Sequence, residues 1–595
     1  MGSTVQDVAR ALDTHVNAAM AKAWSGISPI SLALAYTDWS LHLLTSPGSQ
    51  TRLAQEAAAR YAAWMRDSTL AAMRTPSSAD VQQEPPPSPA ATPDPDSRFD
   101  SPSWRKWPWQ SLVSANKTLE TWWHNASSLP GMRDHSREQM RFYGQQWLNV
   151  LSPSNWLLTN PQALQAAFDS GGQSLAKGMG HAIEEIRLRH GLPPVRRDTD
   201  APSPGQGLAM TPGQVVMRNG LIELIQYEPT TPQVHQTPVL IVPSCIMKYY
   251  ILDLSPHNSM VRWLVAQGHT VYIVSWRNPN EDDALLSMDD YVRDGVLSAW
   301  DHVHHATGQP VHLMGYCLGG TLASVAAAAL CADDAQAAEV RKVSAQPLAS
   351  LTLLAAETDF TEPGEMGVLI DEAQVRMLEE MMAEKGFLTG RQMAGSFQFL
   401  HSRELVWSSR TRRWLMGEEE VASDLMAWNA DVTRLPAVMH SQYLRRCFLH
   451  NELANGHFAF DDRPVSLRDI RIPVFGVGTQ KDHVAPWRSV FKVQRLVSGP
   501  VTFVLTNGGH NAGIISEPGH KGRYFQQLTT APEQPRLRSS EWQSRAPRHE
   551  GSWWTAWSDW LVAQGSGRLV AARKLPEETS LGAAPGQYVL VRYGD

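Results

Sequence analysis

The sequence predicts an α/β protein: a mainly parallel sheet with crossover helices and a helical cap insert, preceded by a helical N-terminal domain. Three observations carry this. From about residue 206 onward, short β-branched runs alternate with helical patterns. Between about 361 and 472 the strand pattern lapses into helical sequence rich in Met, Trp and Leu. Residues 100–205 read as helical throughout, rich in Trp, Gln and Ala.

The elements follow in order. In residues 1–75, Leu32, Tyr36, Trp39 and Leu43 recur at helical spacing and give a helical N-terminal module, a small hairpin suited to docking a partner. Residues 76–99 contain PPPSP and TPDPD and read as a disordered linker. The helical domain over 100–205 includes a segment opened by Asn160-Pro161, in which Leu164, Ala167 and Phe168 share a face. A Pro/Asp-rich stretch, 197–207, ends it. The catalytic domain, 206–595, has candidate strands over 239–242, 270–274, 311–314, 351–354, 474–477 and 501–505. Between the second and third lies a helix over 289–305, with Val292, Val296, Ala299 and Val303 on one face and Gly308 as its stop.

Composition narrows the function. The chain has 595 residues, 43% of them hydrophobic, enough for a large core and two domains. Formal net charge is −7 and no long Lys/Arg run is present, which argues against nucleic acid as a partner. Cys245, Cys317, Cys331 and Cys447 are widely spaced and form no CxxC pair. Neither a zinc site nor a disulfide framework is indicated, which fits a reducing cytosol. The N-terminus lacks the basic-then-apolar pattern of a signal peptide. The most apolar early stretch, 30–44, carries Asp38 and His42 and is shorter than the ~20 residues a membrane span needs. A cytoplasmic chain without a transmembrane segment is expected. The 22 tryptophans suit wet–apolar boundaries, although core packing explains most of them.

The chemistry centres on Gly315-Tyr316-Cys317-Leu318-Gly319-Gly320, between a strand and an Ala-rich helix. This is a nucleophile-elbow context with Cys in place of Ser, and it specifies an α/β-hydrolase fold. A sharp strand-to-helix turn leaves no room for a Cβ two residues before or after the nucleophile, so glycine is required there. The helix N-terminus favours negative charge, on sulfur or on a developing oxyanion. A plain Gly-rich turn with a buried Cys is the alternative.

A triad needs an acid and then a histidine downstream. Asp482 lies on the loop after the strand at 474–477, and His510 on the loop after the strand at 501–505, within Asn507-Gly508-Gly509-His510-Asn511. His483 competes as base, but its place beside the acid keeps it from facing both Asp482 and the sulfur. Two backbone N–H groups must form an oxyanion hole: Leu318, after the nucleophile, and Cys245 or Ile246 in the loop Pro243-Ser244-Cys245-Ile246-Met247. Cys245 otherwise reads as a small loop residue; Cys331 and Cys447 read as packing cysteines. Cysteine also says something about the acceptor. A thiolate exchanging with a thioester makes another thioester, near thermoneutrally, so the acyl group can be passed on.

These motifs resemble, over roughly residues 100–595, the polyhydroxyalkanoate (poly-3-hydroxybutyrate) synthases, in particular the single-subunit class I type. The resemblance rests on several motifs in order. Pro243 to Leu254 looks like the family's oxyanion-loop segment, and Ser275-Trp276-Arg277-Asn278-Pro279 follows. Gly315 to Gly320 is similar to its lipase-like box, and Trp428-Asn429-Ala430-Asp431 lies in the cap. Lys481 to Trp487 and Gly508 to Gly513 carry the acid and the histidine. Gly551-Ser552-Trp553-Trp554, with Trp557 and Trp560, resembles the C-terminal segment, and 28–48 an extra N-terminal module of some members. Met247 departs from the pattern, because the family usually has Asn there.

The resemblance implies a 3-hydroxyacyl-CoA substrate, short-chain such as 3-hydroxybutyryl-CoA, a polyester product and released CoA. It implies Cys317, Asp482 and His510 as the catalytic residues and substrate contacts at Tyr249, Asp253 and Trp428. It further implies no metal or other cofactor, a homodimer, and a seat on polymer granules in the cytoplasm, to which a Trp-rich cap and tail are suited. Two rivals stand beside it: a Cys-dependent hydrolase of the same fold (a polyester depolymerase or thioesterase), and a catalytically silent interaction protein.

Overall fold

The computed structural model describes residues 2–24, 26–73, 96–190, 192, 202–332, 347–419, 423–573 and 580–592. Most of the Pro-rich stretch expected as a linker lies outside the described residues. The chain gathers into two compact units: 1–28 with 200–394 and 422–595, and 29–199 with 395–421.

The larger unit is built on one ten-stranded sheet. Its strands in chain order are β1 Gly213–Arg218, β2 Ile222–Tyr227, β3 Val239–Val242, β4 Val271–Trp276, β5 Val311–Tyr316, β6 Leu348–Leu354, β7 Val474–Thr479, β8 Val501–Thr506, β9 Tyr524–Thr530 and β10 Arg548–Glu550. The order across the sheet is β10-β9-β8-β7-β6-β5-β3-β4-β2-β1. The six central strands, β4-β3-β5-β6-β7-β8, pair in parallel. Every residue in them is buried, which is why they read as unbroken apolar runs. The edges are antiparallel: β1 on β2, β2 on β4, β8 on β9 and β9 on β10. This is the α/β-hydrolase fold.

All six candidate strands exist, each within a few residues of its predicted bounds. The expected helix at 289–305 spans Met288–Thr307 in three segments. Its wide π turn, Tyr291–Leu297, passes Gly295 against Trp276, where a Cβ would lie 2.5 Å from the indole. Gly308 ends the helix at φ +63°. Between β6 and β7 the described residues add no strand to the main sheet. That insert carries the helices Glu372–Met382, Asp424–Asn429 and Ala437–Gln442.

The smaller unit is helical: Pro29–Leu44, Pro47–Met73, Trp109–Ala126, Asp134–Leu151, Pro161–Asp169 and Gln173–Arg189. Ala35, Leu53, Ala126, Leu129, Met132 and Met140 form a core, with Trp39, Leu43, Trp122 and Trp123 packed against it. Each of these indoles finds a backbone acceptor: Trp39 on Ala126, Trp122 on Leu53 and Trp123 on Met140, at 2.8–3.1 Å. The predicted face is corrected by one position, because Ala35 is buried while Tyr36 is exposed. Phe168, grouped by periodicity with Leu164 and Ala167, is also exposed.

Candidate active site

β5 ends at Tyr316 and the next helix, Leu318–Cys331, begins two residues later, so Cys317 alone makes the turn. Its φ is +52°, a strain of about 1–3 kcal/mol for a residue with a Cβ. The surroundings enforce it. The Cys317 amide donates to the Leu354 carbonyl on β6 at 2.9 Å, and its carbonyl accepts from Gly320 at 2.8 Å. A Cβ on Gly315 would lie 2.3 Å from the Gly320 Cα, and one on Gly319 would lie 2.3 Å from the Pro243 carbonyl oxygen. The two glycines therefore let the helix, the strand and the loop that begins at Pro243 meet. Cys317 stays half-buried, whereas Cys245 and Cys447 are buried, and burial pushes both of their thiols far up. Cys245, Cys317 and Cys447 are free thiols.

Strand order does the rest. β7 and β8 run parallel to β5 in the same sheet, so their C-terminal loops open on the same edge as the elbow. Asp482 on the first loop has a side chain wholly shielded from solvent. Its Oδ2 accepts from His510 Nδ1 and from Thr479 Oγ1, both at 2.9 Å. Its Oδ1 accepts the amides of Val484 at 2.9 Å and Ala485 at 2.8 Å. Burial works against the Asp482 charge, but the His510 charge and these bonds outweigh it and hold the carboxyl below its ordinary range.

His510 faces Asp482 through Nδ1 and interacts with the Cys317 sulfur as well. Burial would lower its pKa, yet the charges of Asp482 and Cys317 and the bonds to both hold it well above the ordinary imidazole value. The ring stacks on Tyr316, with centroids 5.6 Å apart, and the Tyr316 hydroxyl donates to Asn511 Oδ1 at 2.6 Å. From below, Trp553 and Trp554 donate to the carbonyls of Gly513 (3.0 Å) and Ile514 (2.9 Å), on the loop that follows His510. Trp557 donates to Thr352 on β6 at 3.0 Å. These three tail tryptophans are fully buried and brace the site. These three are thus unavailable to an apolar surface, against the expectation for that part of the tail. His483, the competing base, lies 3.6 Å from Glu365 with its ring half-exposed.

The loop 243–248, expected to supply an oxyanion amide, lies against the elbow through Pro243. The Ile246 amide reaches Ser244 Oγ at 3.4 Å, at the long end for a hydrogen bond. The amides of Leu318 and Cys245 donate to no backbone carbonyl among the described residues. The insert clamps the loop. Thr433 Oγ1 donates to the Cys245 carbonyl at 2.5 Å, and the Thr433 amide donates to that of Ile246 at 3.1 Å.

Residues 95–264 match the family model described as Poly-beta-hydroxybutyrate polymerase (PhaC) N-terminus, 7–49 match Poly-beta-hydroxybutyrate polymerase N terminal, and 238–516 match the alpha/beta hydrolase fold. A poly(3-hydroxyalkanoate) polymerase of Methylorubrum extorquens is 38% identical over 551 residues, covering 91% of this chain and 86% of the relative. The chain belongs to the poly(3-hydroxyalkanoate) polymerase family. A polymerase subunit of Rhizobium meliloti is 36% identical, covering 84% of this chain and 80% of its own length. One of Cupriavidus necator is 36% identical, covering 76% of each. The family resemblance read from the motifs is thereby confirmed, and with it an enzyme of the acyltransferase class.

The residues that the polymerase resemblance offered as substrate contacts are engaged inside the protein. Tyr249 and Asp253 are buried with Tyr227. Asp253 Oδ1 accepts from Thr211 Oγ1 at 2.5 Å and Ser259 Oγ at 2.6 Å, and burial pushes its carboxyl up to about 6 against those bonds. Trp428 Nε1 donates to the Lys248 carbonyl at 2.9 Å. Met247, the departure from the polymerase pattern, forms an antiparallel bridge with Val432 and packs on the core. Sequence reasoning missed Glu357, on the segment after β6. Its carboxyl is buried, and burial holds it well above the carboxylate range, with the charges of Asp482 and Cys317 adding to the shift. Its Oε1 has no hydrogen-bond partner among the described residues. A Glu three residues past a strand carries no sequence signal by itself. Among the described residues no group of three or more His, Cys, Asp or Glu is placed to hold a metal ion, and no helix is long and apolar enough to cross a membrane.

Proposed function

We propose that this chain polymerises 3-hydroxyacyl-CoA, short-chain such as 3-hydroxybutyryl-CoA, into a polyester through a thioester on Cys317. The observation that carries the reading is the strained elbow cysteine facing a histidine that is itself bonded to a buried aspartate, in a chain of the polymerase family.

His510 takes the proton from the Cys317 thiol, and the thiolate attacks the thioester carbonyl carbon. The oxyanion is held by the Leu318 amide and by that of Cys245 or Ile246. The bond from the carbonyl carbon to the CoA sulfur breaks, and His510 returns its proton to the departing thiolate. The acyl group then sits on Cys317 as a thioester. The 3-hydroxyl of a chain end or a second acyl group gives its proton to His510 and attacks that carbonyl, forming an ester and freeing the cysteine sulfur. Asp482 fixes the imidazole tautomer and stabilises its charge.

Intact-mass and peptide mapping after incubation with 3-hydroxybutyryl-CoA test the covalent step. A hydroxybutyryl group on the Cys317 peptide is expected; an unmodified Cys317 during steady CoA release would refute it. The family resemblance also supports a seat in the cytoplasm on polymer granules, as a homodimer. On the smaller unit Trp107, Trp147, Trp156, Leu158 and Phe168 stand exposed, and we assign the granule contact there. Failure to co-sediment with granules would remove that assignment, and a monomeric mass in solution would remove the dimer.

A further inference from the structure

We infer that the C-terminal segment 580–592 positions the oxyanion loop through the side chain of Lys248. The inference rests on the polymerase reading above, which gives that loop one of the two oxyanion amides.

Lys248 closes the loop that carries Cys245 and Ile246, and it is only 2% exposed. Its Nζ donates to the backbone carbonyls of Val591 at 2.7 Å and Tyr588 at 3.3 Å. Those acceptors are fixed in their turn. Glu223 on β2 is fully buried, and its Oε2 accepts the amides of Gln587 at 2.9 Å and Tyr588 at 3.0 Å. Its Oε1 accepts from Arg218 Nε at 2.7 Å. Gly586 sits at φ +82°, and a Cβ there would lie 2.4 Å from Glu223 Oε2, so only glycine lets the tail close on this carboxylate. The Tyr588 hydroxyl donates to the Asn219 carbonyl at 2.7 Å. Upstream, Leu581 and Ala584 donate to Val215 and Gly213 of β1 at 2.9 and 2.8 Å, and Val215 donates back to Gly582 at 2.8 Å. The tail is thus sewn to the sheet edge before it reaches Lys248.

The loop is held between two supports. On one side Thr433 and Trp428 hold the carbonyls of Cys245, Ile246 and Lys248. On the other side the tail holds the Lys248 side chain. A peptide unit is planar, so tying the Cys245 carbonyl also sets the direction of the Ile246 amide. A buried Lys side chain stripped of its acceptors is strongly disfavoured, so loop and tail move together or not at all. Lys248 is a positioning residue in this account: it acts through the loop and touches no reacting atom.

The test uses the full chain with Lys248→Met, Gly586→Ala and the two combined. A misplacement of ~1 Å at reacting groups costs on the order of 100-fold in rate. Each single variant is therefore expected to lower kcat on 3-hydroxybutyryl-CoA by about ten- to a hundredfold with KM within about threefold. The double variant should be no worse than the weaker single, because both changes break one linkage. Amide exchange over 243–248 should quicken in all three variants, while Cys317 alkylation by iodoacetamide keeps its rate. Wild-type kcat in Lys248→Met, or losses that multiply in the double variant, would overturn the inference. If the wild type releases no CoA, the polymerase reading fails by itself, and the exchange data still decide the linkage: unchanged exchange over 243–248 refutes it.

Discussion

Replacing Asp482 by Asn isolates the part of the site that geometry defines best. The carboxylate takes four donors: His510 and Thr479 on one oxygen, Val484 and Ala485 on the other. An amide has one oxygen. If that oxygen keeps the two backbone amides, the Asn NH₂ points at Thr479 and His510. The threonine hydroxyl can turn and accept. The imidazole can accept only by moving its proton to Nε2, and then it cannot take the proton from the Cys317 sulfur. The loss is one of tautomer with little change of shape. On the precedent of a buried triad aspartate in a serine protease, kcat should fall by about 10³–10⁴, which is about 4–5.5 kcal/mol of barrier. Initial-rate CoA release with matched thermal unfolding checks this. A variant within tenfold of wild type would refute the assignment. Were Glu357→Gln to carry the larger loss instead, the orienting carboxyl would be the one after β6.

Other outcomes follow from the same contacts. Gly319→Ala brings a Cβ to 2.3 Å from the Pro243 oxygen; the oxyanion loop must move, and CoA release should drop at least tenfold while the far-UV spectrum is kept. Trp554→Phe removes the donor to the Ile514 carbonyl and should lower stability by about 1–3 kcal/mol through an unpaired buried acceptor, read by denaturant unfolding. For pH, the His510 pKa is raised and the Asp482 pKa lowered. The histidine's stabilising share is full below the ordinary imidazole value and fades as pH rises through its raised native value. The aspartate's share is full above the ordinary carboxyl value and fades as pH falls through its lowered native value. Nitrogen-15 histidine spectra should therefore show His510 titrating above the ordinary imidazole value, and titrating lower in Asp482→Asn, where the largest of the opposing contributions is removed and burial weighs more. A His510 titrating near 6.5 in the wild type would contradict this.

Most of the sheet and the meeting of Cys317, Asp482 and His510 were legible because their constraints are local. The central strands are buried on both faces, so they appear as apolar runs, and the elbow needs glycine at fixed positions around Cys317. β1, β2, β9 and β10 were not legible. GQVVMR, at one edge of the sheet, and YFQQLTT, next to the other edge, are partly exposed strands whose polar residues weaken the pattern. The faces of Tyr36 and Phe168 were misjudged because periodicity places residues on a stripe without saying which way it turns. The roles of Trp553, Trp554, Lys248 and Glu357 depend on contacts between distant parts of the chain, which composition and spacing do not encode. Trp553 and Trp554, which suggested a surface, are instead props of the loop after His510.

The most direct measurement is incubation of the purified chain with 3-hydroxybutyryl-CoA, following CoA release and characterising the product, with Cys317→Ala beside it. Polyester is expected from the wild type, and neither polymer nor CoA from the variant. Release of CoA with only free 3-hydroxybutyrate would make the chain a thioesterase and contradict the assigned acceptor, and polymer from Cys317→Ala would contradict the nucleophile.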